Sequence, residues 1–246
     1  MRDRARADGQ QRRARLPVVV FAKPPVPGQV KTRLVAALGP EGAAALARAF
    51  LLDAWGAVAA CPWAEPYLAS TGPLPAELVA QLGPGRILLQ GEGDLGARLE
   101  RVLGGLLARG APAALALGAD SPGLPRRLLE QARAALGGGA GAVLGPAADG
   151  GFYLLGLGRC PPGLLAGLPW SNARTRAATA RRLRAQGLVV VEIEPWFDVD
   201  RPADLVRLGA ALQRGEIEAP ATLRALARLQ GTTVPGATGD GKGGAE

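Results

Sequence analysis

Short apolar runs alternate with stretches of helical periodicity along this chain, and that alternation limits its possible folds more than any other feature. Val18-Val19-Val20-Phe21 is a continuous apolar run, the pattern of a strand buried on both faces. A Pro/Gly loop follows, and helical spacing then runs from about Lys31 to Leu38 and from Glu41 to Ala60. Tyr67–Ala69 and Ile87–Leu89 predict strands on either side of a short helix near Ala76–Leu82. Leu95–Arg109 predicts a helix with Asp94 as its N-cap. Ala113–Gly118 predicts a fourth strand, and Pro125–Leu136 a helix with proline in its first turn. Ala142–Gly145 and Phe152–Leu157 predict two more strands around Asp149-Gly150-Gly151. An arginine-rich helix capped by Ser171 is expected to run to about Gln186, followed by a last strand at Leu188–Ile193. Helices over Pro202–Arg214 and about Ala219–Gln230 close the pattern. This βαβα order predicts an α/β sandwich with a mostly parallel sheet, and 246 residues suit one large domain or two small ones.

The chemistry open to such a fold is narrowed by one absence: the sequence contains no histidine. Ser-His-Asp and Cys-His nucleophile pairs, HExxH zinc sites and imidazole bases are therefore excluded. Cys61 and Cys160 are too few and too far apart in sequence for a four-cysteine zinc site or a CxxC redox pair. Carboxylates, Lys, Arg, hydroxyls, backbone amides or an oxygen-ligated metal must carry any reaction.

The formal charge of +8 is unevenly placed. Residues 1–15 hold six Arg against Asp3 and Asp8, which is half of the total, with no apolar periodicity. They read as a disordered basic arm. Residues 16–230 read as one domain and residues 231–246 as a flexible tail. The body carries only +5 and no interleaved basic–aromatic pattern, which disfavours nucleic acid as a partner. The apolar run Leu16–Ala22 is too short for a membrane span and lacks a cleavage-site pattern, so a cytoplasmic location is expected.

In parallel sheets ligands bind beyond the carboxyl ends of the strands, which brings four segments into contention. The loop Lys23-Pro24-Pro25-Val26-Pro27-Gly28-Gln29-Val30-Lys31-Thr32-Arg33 follows the first strand and opens the first helix, where free amides and the helix dipole favour an anion. Two of only three lysines in an arginine-biased chain bracket it. The loop is not a Walker A motif, because Val30 stands where that motif requires glycine. Gly91-Glu92-Gly93-Asp94-Leu95-Gly96 has G-x-G-x-x-G spacing, yet Glu92 and Asp94 would set carboxylates beside a pyrophosphate; a loop-and-cap role fits better. Asp120 ends the fourth strand, where a carboxylate either turns the chain or holds Mg2+ or Mn2+ against phosphate oxygens. Asp198-Val199-Asp200 offers two more carboxylates, one expected to reach the same ion and the other to cap the Pro202 helix. Asp149 is either a turn residue or a carboxylate lining a site. Trp170 and Ser171, at the start of the arginine-rich helix, either border a solvated face or meet an anionic substrate.

Five ordered segments resemble one family. They are FAKPPVPGQVKTRL at Phe21–Leu34, GDLGARL at Gly93–Leu99, LGADSPGL at Leu117–Leu124, GPAADGGFYLLGL at Gly145–Leu157 and DVDRPADL at Asp198–Leu205. Together they resemble bacterial glycosyltransferase-A-like proteins of the arsenosugar-biosynthesis glycosyltransferase type, within the nucleotide-diphospho-sugar transferase superfamily. The KTRL stretch is also similar to that of 2-phospholactate guanylyltransferases. The resemblance implies a three-layer α/β/α sandwich of the GT-A-like kind and a metal-dependent transferase. It implies a nucleotide or nucleotide-sugar donor and a small acceptor, with sugar transfer first and nucleotidyl transfer or nucleotide binding without catalysis as alternatives. Lys23, Pro27, Gly28, Lys31, Thr32 and Arg33, with Gly93 and Asp94, would then bind the donor, Lys31 and Arg33 acting in catalysis as well. Asp120, assisted by Asp198 or Asp200, would hold Mg2+ or Mn2+, and Asp149 would serve as a base or orienting carboxylate. The sequence departs from the better-known glycosyltransferases in having Asp120-Ser121-Pro122 where they carry D-x-D.

Overall fold

Val18 and Val20 belong to one buried cluster and Val19 to another, so β1 (Leu16–Ala22) feeds a core on each face of its sheet. That is the physical outcome of an unbroken apolar run with a side-chain period of two. The computed structural model describes residues 15–83 and 86–231. The proposed arm and tail, apart from Arg15 and Gly231, lie outside the described residues.

Seven strands form one sheet in the order β3-β2-β1-β4-β6-β5-β7. The others are β2 (Ala64–Ser70), β3 (Arg86–Leu89), β4 (Ala114–Gly118), β5 (Ala142–Pro146), β6 (Phe152–Leu157) and β7 (Val190–Glu192). Val20 pairs with Leu68 on one side and Leu117 on the other, both in parallel register. Only β6 runs against its neighbours, pairing antiparallel with β4 and β5. The five-residue connection Ala147–Gly151 explains this, since a link that short can join antiparallel strands but cannot make a parallel crossover.

Helices cover both faces, giving the α/β/α sandwich. The first cluster joins β-strand residues to α1 (Val35–Ala59), α2 (Ala76–Leu82) and α4 (Arg126–Gly137). The second joins them to α3 (Leu95–Ala108) and α5 (Thr175–Ala185). A third lies beside the sheet, where Leu34, Leu46 and Phe50 meet Phe197, Val199 and Leu208. It is completed by α6 (Pro202–Gln213) and α7 (Pro220–Gly231). This satellite core fixes the position of the Asp198–Asp200 segment.

Helix α1 breaks at Gly39 (φ 70°, ψ 166°) before Pro40, which matches the two helical stretches expected from sequence. With the preceding turn, Thr32–Ala59 is long and apolar enough to cross a membrane. Here its buried residues, among them Phe50, Leu51 and Trp55, pack as a core helix instead.

Two expected caps are corrected. Ser171 does not start α5: it sits at φ 54° four residues before Thr175. The Thr175 hydroxyl donates to the carbonyls of Pro169 and Asn172, and the Asn172 side chain accepts from the Arg174 amide, so those residues organise the entry. Pro125 is the N-cap of α4 rather than part of its first turn.

Candidate functional site

All the segments singled out from sequence end at one edge of the sheet. Lys23 follows β1, Gln90 follows β3, Asp120 follows β4 and Asp149 follows β5, while the antiparallel β6 begins there at Phe152. Asp120 and Asp200 are joined twice. The Val199 amide donates to the Asp120 carbonyl at 3.0 Å, and the Lys31 ammonium bridges their carboxylates.

Lys31 is the centre of this arrangement. Its Nζ lies 2.7 Å from Asp120 Oδ1, 2.8 Å from Asp200 Oδ1 and 2.8 Å from the Val199 carbonyl. The side chain is 5% exposed, with the Phe50 ring 5.6 Å from the ammonium. Burial pushes the Lys31 pKa down, but the charges and hydrogen bonds of Asp120 and Asp200 outweigh it and hold the pKa above 10.5. The ammonium is thus fully charged at neutral pH. The residue reaches inward because its backbone is left-handed, φ 46° and ψ 41°, at the N-cap of the single 3-10 turn Thr32–Leu34. A lysine rarely adopts this conformation, and the contacts around the ammonium hold it there.

The sequence placed Lys31 among the phosphate-facing loop cations; in the structure its ammonium pairs with the carboxylates of Asp120 and Asp200. Lys23, Pro27, Thr32 and Arg33 remain exposed around it. Arg33 Nη1 stands 3.7 Å from Asp200 Oδ2 with its side chain 65% exposed, which leaves its guanidinium open to a ligand. Gly28 is needed for its φ of 75°, while space around it is open.

Asp120 and Asp200 pair with Lys31, and Asp198 lies within reach of the charges of Asp149, Asp200 and Lys31. Burial first, then Asp149 and Asp200, push the Asp198 pKa above the ordinary aspartate value of 3.8, partly opposed by its own backbone hydrogen bond and by Lys31. Folding therefore disfavours ionised Asp198: stability is fullest below the unfolded pKa and is lost as pH rises through the folded one. Asp198→Asn should raise the melting midpoint at pH 7 by about 1–2 °C, a small figure because the carboxyl is only half-buried. The gain should vanish in melts run below pH 3.8.

The cap of α6 also differs from expectation. Asp204, not Asp200, accepts from the amides of Asp200 at 3.0 Å and Arg201 at 2.7 Å. This frees Asp200 for Lys31. The signal was present in the sequence as an acid at the third helical position behind Pro202. The Val199 carbonyl and Phe50 are further contributors that motif reading missed, because neither residue type carries a chemical signature.

The glycine-rich segment is a loop and cap. Asp94 Oδ1 accepts from the Ala97 amide at 2.9 Å, and Arg101 binds the carbonyls of Gln90 and Glu92. Gly93, at φ 103°, and Asp94 follow β3 at the carboxyl end of the sheet. Gly96 allows close packing, since a Cβ there would lie 2.8 Å from the Trp170 ring. Trp170 also meets Phe152 edge-on at 6.2 Å, so it packs between the start of α3 and the start of β6. Asp149 Oδ1 accepts from the Gly151 amide at 2.8 Å. In the arginine-rich helix, Arg184 pairs with Glu192 at 3.5 Å and Arg182 donates to the Ala166 carbonyl at 3.1 Å, so that face is partly structural.

The donor chemistry suits a hard cation, but the geometry does not form a cage for one. Among the described residues no three carboxylates or thiols cluster to hold a metal, and the two nearest carboxylates are already bridged by an ammonium.

This fold has relatives. A candidate nucleotide-diphospho-sugar transferase from Desulfovibrio desulfuricans G20 is 30% identical over 88% of this chain and 96% of its own, with a TM-score of 0.74. The chain belongs to the nucleotide-diphospho-sugar transferase superfamily. Within this superfamily member, residues 52–172 match the family described as "uncharacterized protein conserved in bacteria", DUF2064. That span contains Asp120 and Asp149 but not Lys31 or Asp200. CMP:2-keto-3-deoxy-manno-octonic acid synthetase, in complex with CTP, is 14% identical over 82% of this chain and 99% of its own, with a TM-score of 0.51. A cytidylyltransferase from Leptospira borgpetersenii serovar Hardjo-bovis is 12% identical over 89% and 94%, at a TM-score of 0.55. At those identities the likeness is one of fold. No curated protein matches the chain.

Proposed function

We propose that this superfamily member transfers a sugar from a nucleotide-diphosphate donor to a small acceptor. The observation that carries the reading is the convergence of Lys31, Arg33, Asp120 and Asp200 at the carboxyl edge of β1 and β4. Departure of a nucleoside diphosphate builds negative charge on its phosphate oxygens, and prepositioned cations stabilise that charge most where water is limited. Arg33 and Lys23 present the exposed cations that meet the diphosphate. Lys31 holds the two carboxylates and the Asp198–Asp200 segment in register beneath it. Asp149 lies on the acceptor side, where a carboxylate accepts a hydroxyl proton or orients the hydroxyl as it attacks. Mg2+ or Mn2+ is proposed to accompany the donor.

A second reading, nucleotidyl transfer from a nucleoside triphosphate with pyrophosphate leaving, is favoured by one specific feature. Asp120 is followed by Ser121, 3% exposed, and Pro122, so no second carboxylate stands two residues on. Calorimetry with nucleoside triphosphates and nucleotide-diphosphate sugars, each with and without Mg2+ or Mn2+, separates the two readings. Sugar transfer predicts that one sugar nucleotide binds at least about tenfold more tightly than the matching triphosphate, a difference of about 1.4 kcal/mol. The reverse order would replace the first reading with the second, and no binding by either class would count against both.

A further inference from the structure

The Lys31 ammonium has three oxygens at 2.7–2.8 Å, two accepting its hydrogen bonds and the third, on Asp120, paired with it by charge. Two of the three belong to carboxylates and one to a backbone carbonyl, an all-oxygen set of the sort a hard divalent ion takes. We propose that Lys31 is the resident cation of this site. Its ammonium fills the place between Asp120 and Asp200, so the protein binds no divalent ion there until a polyphosphate supplies new oxygens. The inference deepens the donor-site reading above and rests on it.

Three independent features support the assignment. First, the ammonium is held from several directions: by Asp120 after β4, by Asp200 and the Val199 carbonyl before α6, and by the Phe50 ring of α1. Second, the left-handed backbone at Lys31 aims the side chain inward, and it persists because the surrounding contacts hold it. Third, among the described residues no third carboxylate joins Asp120 and Asp200 in a group able to hold a metal. A divalent ion entering alone would have to break two charge-assisted hydrogen bonds and an ion pair, and then sit beside the displaced positive charge. A polyphosphate removes that obstacle, because it offers oxygens to the ion and an anionic partner to the ammonium. Ion and nucleotide should therefore bind with positive coupling, each raising the affinity of the other by the same factor. Lys31 is then a positioning residue as well as a charge.

Electron paramagnetic resonance of free Mn2+, titrated with the full-length chain and no nucleotide, tests this directly. The wild-type protein should hold Mn2+ no more tightly than about millimolar, and Lys31→Met should bind it at least about tenfold more tightly, because two close carboxylates lose their internal cation. Lys31→Met combined with Asp200→Asn should lose that gain. If Lys31→Met fails to fold by circular dichroism, Lys31→Gln keeps a polar contact and should show a smaller gain. Micromolar Mn2+ binding by the wild type, or equal affinity in wild type and folded variant, would overturn the proposal. A separate arm adds CTP or UDP-glucose as probes: Mn2+ affinity should rise in wild type with the nucleotide that binds. Absence of nucleotide binding in that arm condemns the donor-site reading, whereas the titrations with Mn2+ alone judge Lys31 independently.

Discussion

Lys31→Met should lower turnover by about a hundred- to a thousandfold, the range seen when one preorganised hydrogen-bond donor is removed from a developing oxyanion. The loss has two sources. The ammonium no longer answers charge on the departing phosphates, and Asp120 and Asp200 repel each other at the site it occupied. Asp120→Asn should fall by a similar factor, since the amide oxygen still accepts from Lys31 but the carboxylate charge is gone. Because both residues belong to one cluster, the double variant should be little worse than either single one, and a double-mutant cycle would show strong coupling. Circular dichroism should be unchanged, as Asp120 is mostly exposed and Lys31 sits at a sheet edge outside the main clusters. Steady-state rates on the donor identified by calorimetry are the measurement. Activity within threefold of wild type in either variant would remove Lys31 and Asp120 from the site.

The sequence displayed the order and kind of these elements because apolar periodicity is a direct consequence of what each element buries. Val18–Val20 could not be half-exposed, and the Gly39-Pro40 break could not be helical. Cap positions were less legible, since several polar residues compete at each helix start and only the tertiary structure decides among them. At α5, Ser171 lost to Asn172 and Thr175, whose side chains bond locally. At α6, Asp204 rather than Asp200 took the free amides, and this released Asp200 to the site. The candidate cluster itself was visible as residue types at strand ends. The inward turn of Lys31 was not, because it depends on the sign of one φ angle in a proline-rich loop. Likewise the place of β6 between β4 and β5 depends on pairing over long sequence separation. The support beneath the site was hardest to foresee, as Phe50, Phe197 and Val199 are ordinary core residues until the satellite cluster brings them together.

That satellite cluster depends on a buried carboxylate remote from the chemistry. Asp53, on α1 and 9% exposed, accepts from the amides of Ala221 at 2.9 Å and Thr222 at 2.8 Å. It also accepts from the Thr222 hydroxyl at 2.6 Å, with Thr222 fully buried. These amides open α7, so the carboxylate satisfies donors that the helix cannot satisfy internally and lies at the positive end of its dipole. Asp53→Ala should destabilise the fold by about 3–5 kcal/mol, since it strands buried donors and leaves a void. The melting midpoint should fall by roughly 10 °C for a domain of this size. Asp53→Asn keeps an acceptor for one amide and should cost less than half as much. The position links stability to function because α7 and α1 flank the cluster that seats Phe197 and Val199, and Val199 supplies both the carbonyl under Lys31 and the amide on Asp120. Asp53→Ala should therefore lose donor affinity at temperatures well below its own melting midpoint, while Asp53→Asn should retain it. Equal melting midpoints for wild type and Asp53→Ala in thermal circular dichroism would show that the α1–α7 contact does not anchor the C-terminal helices.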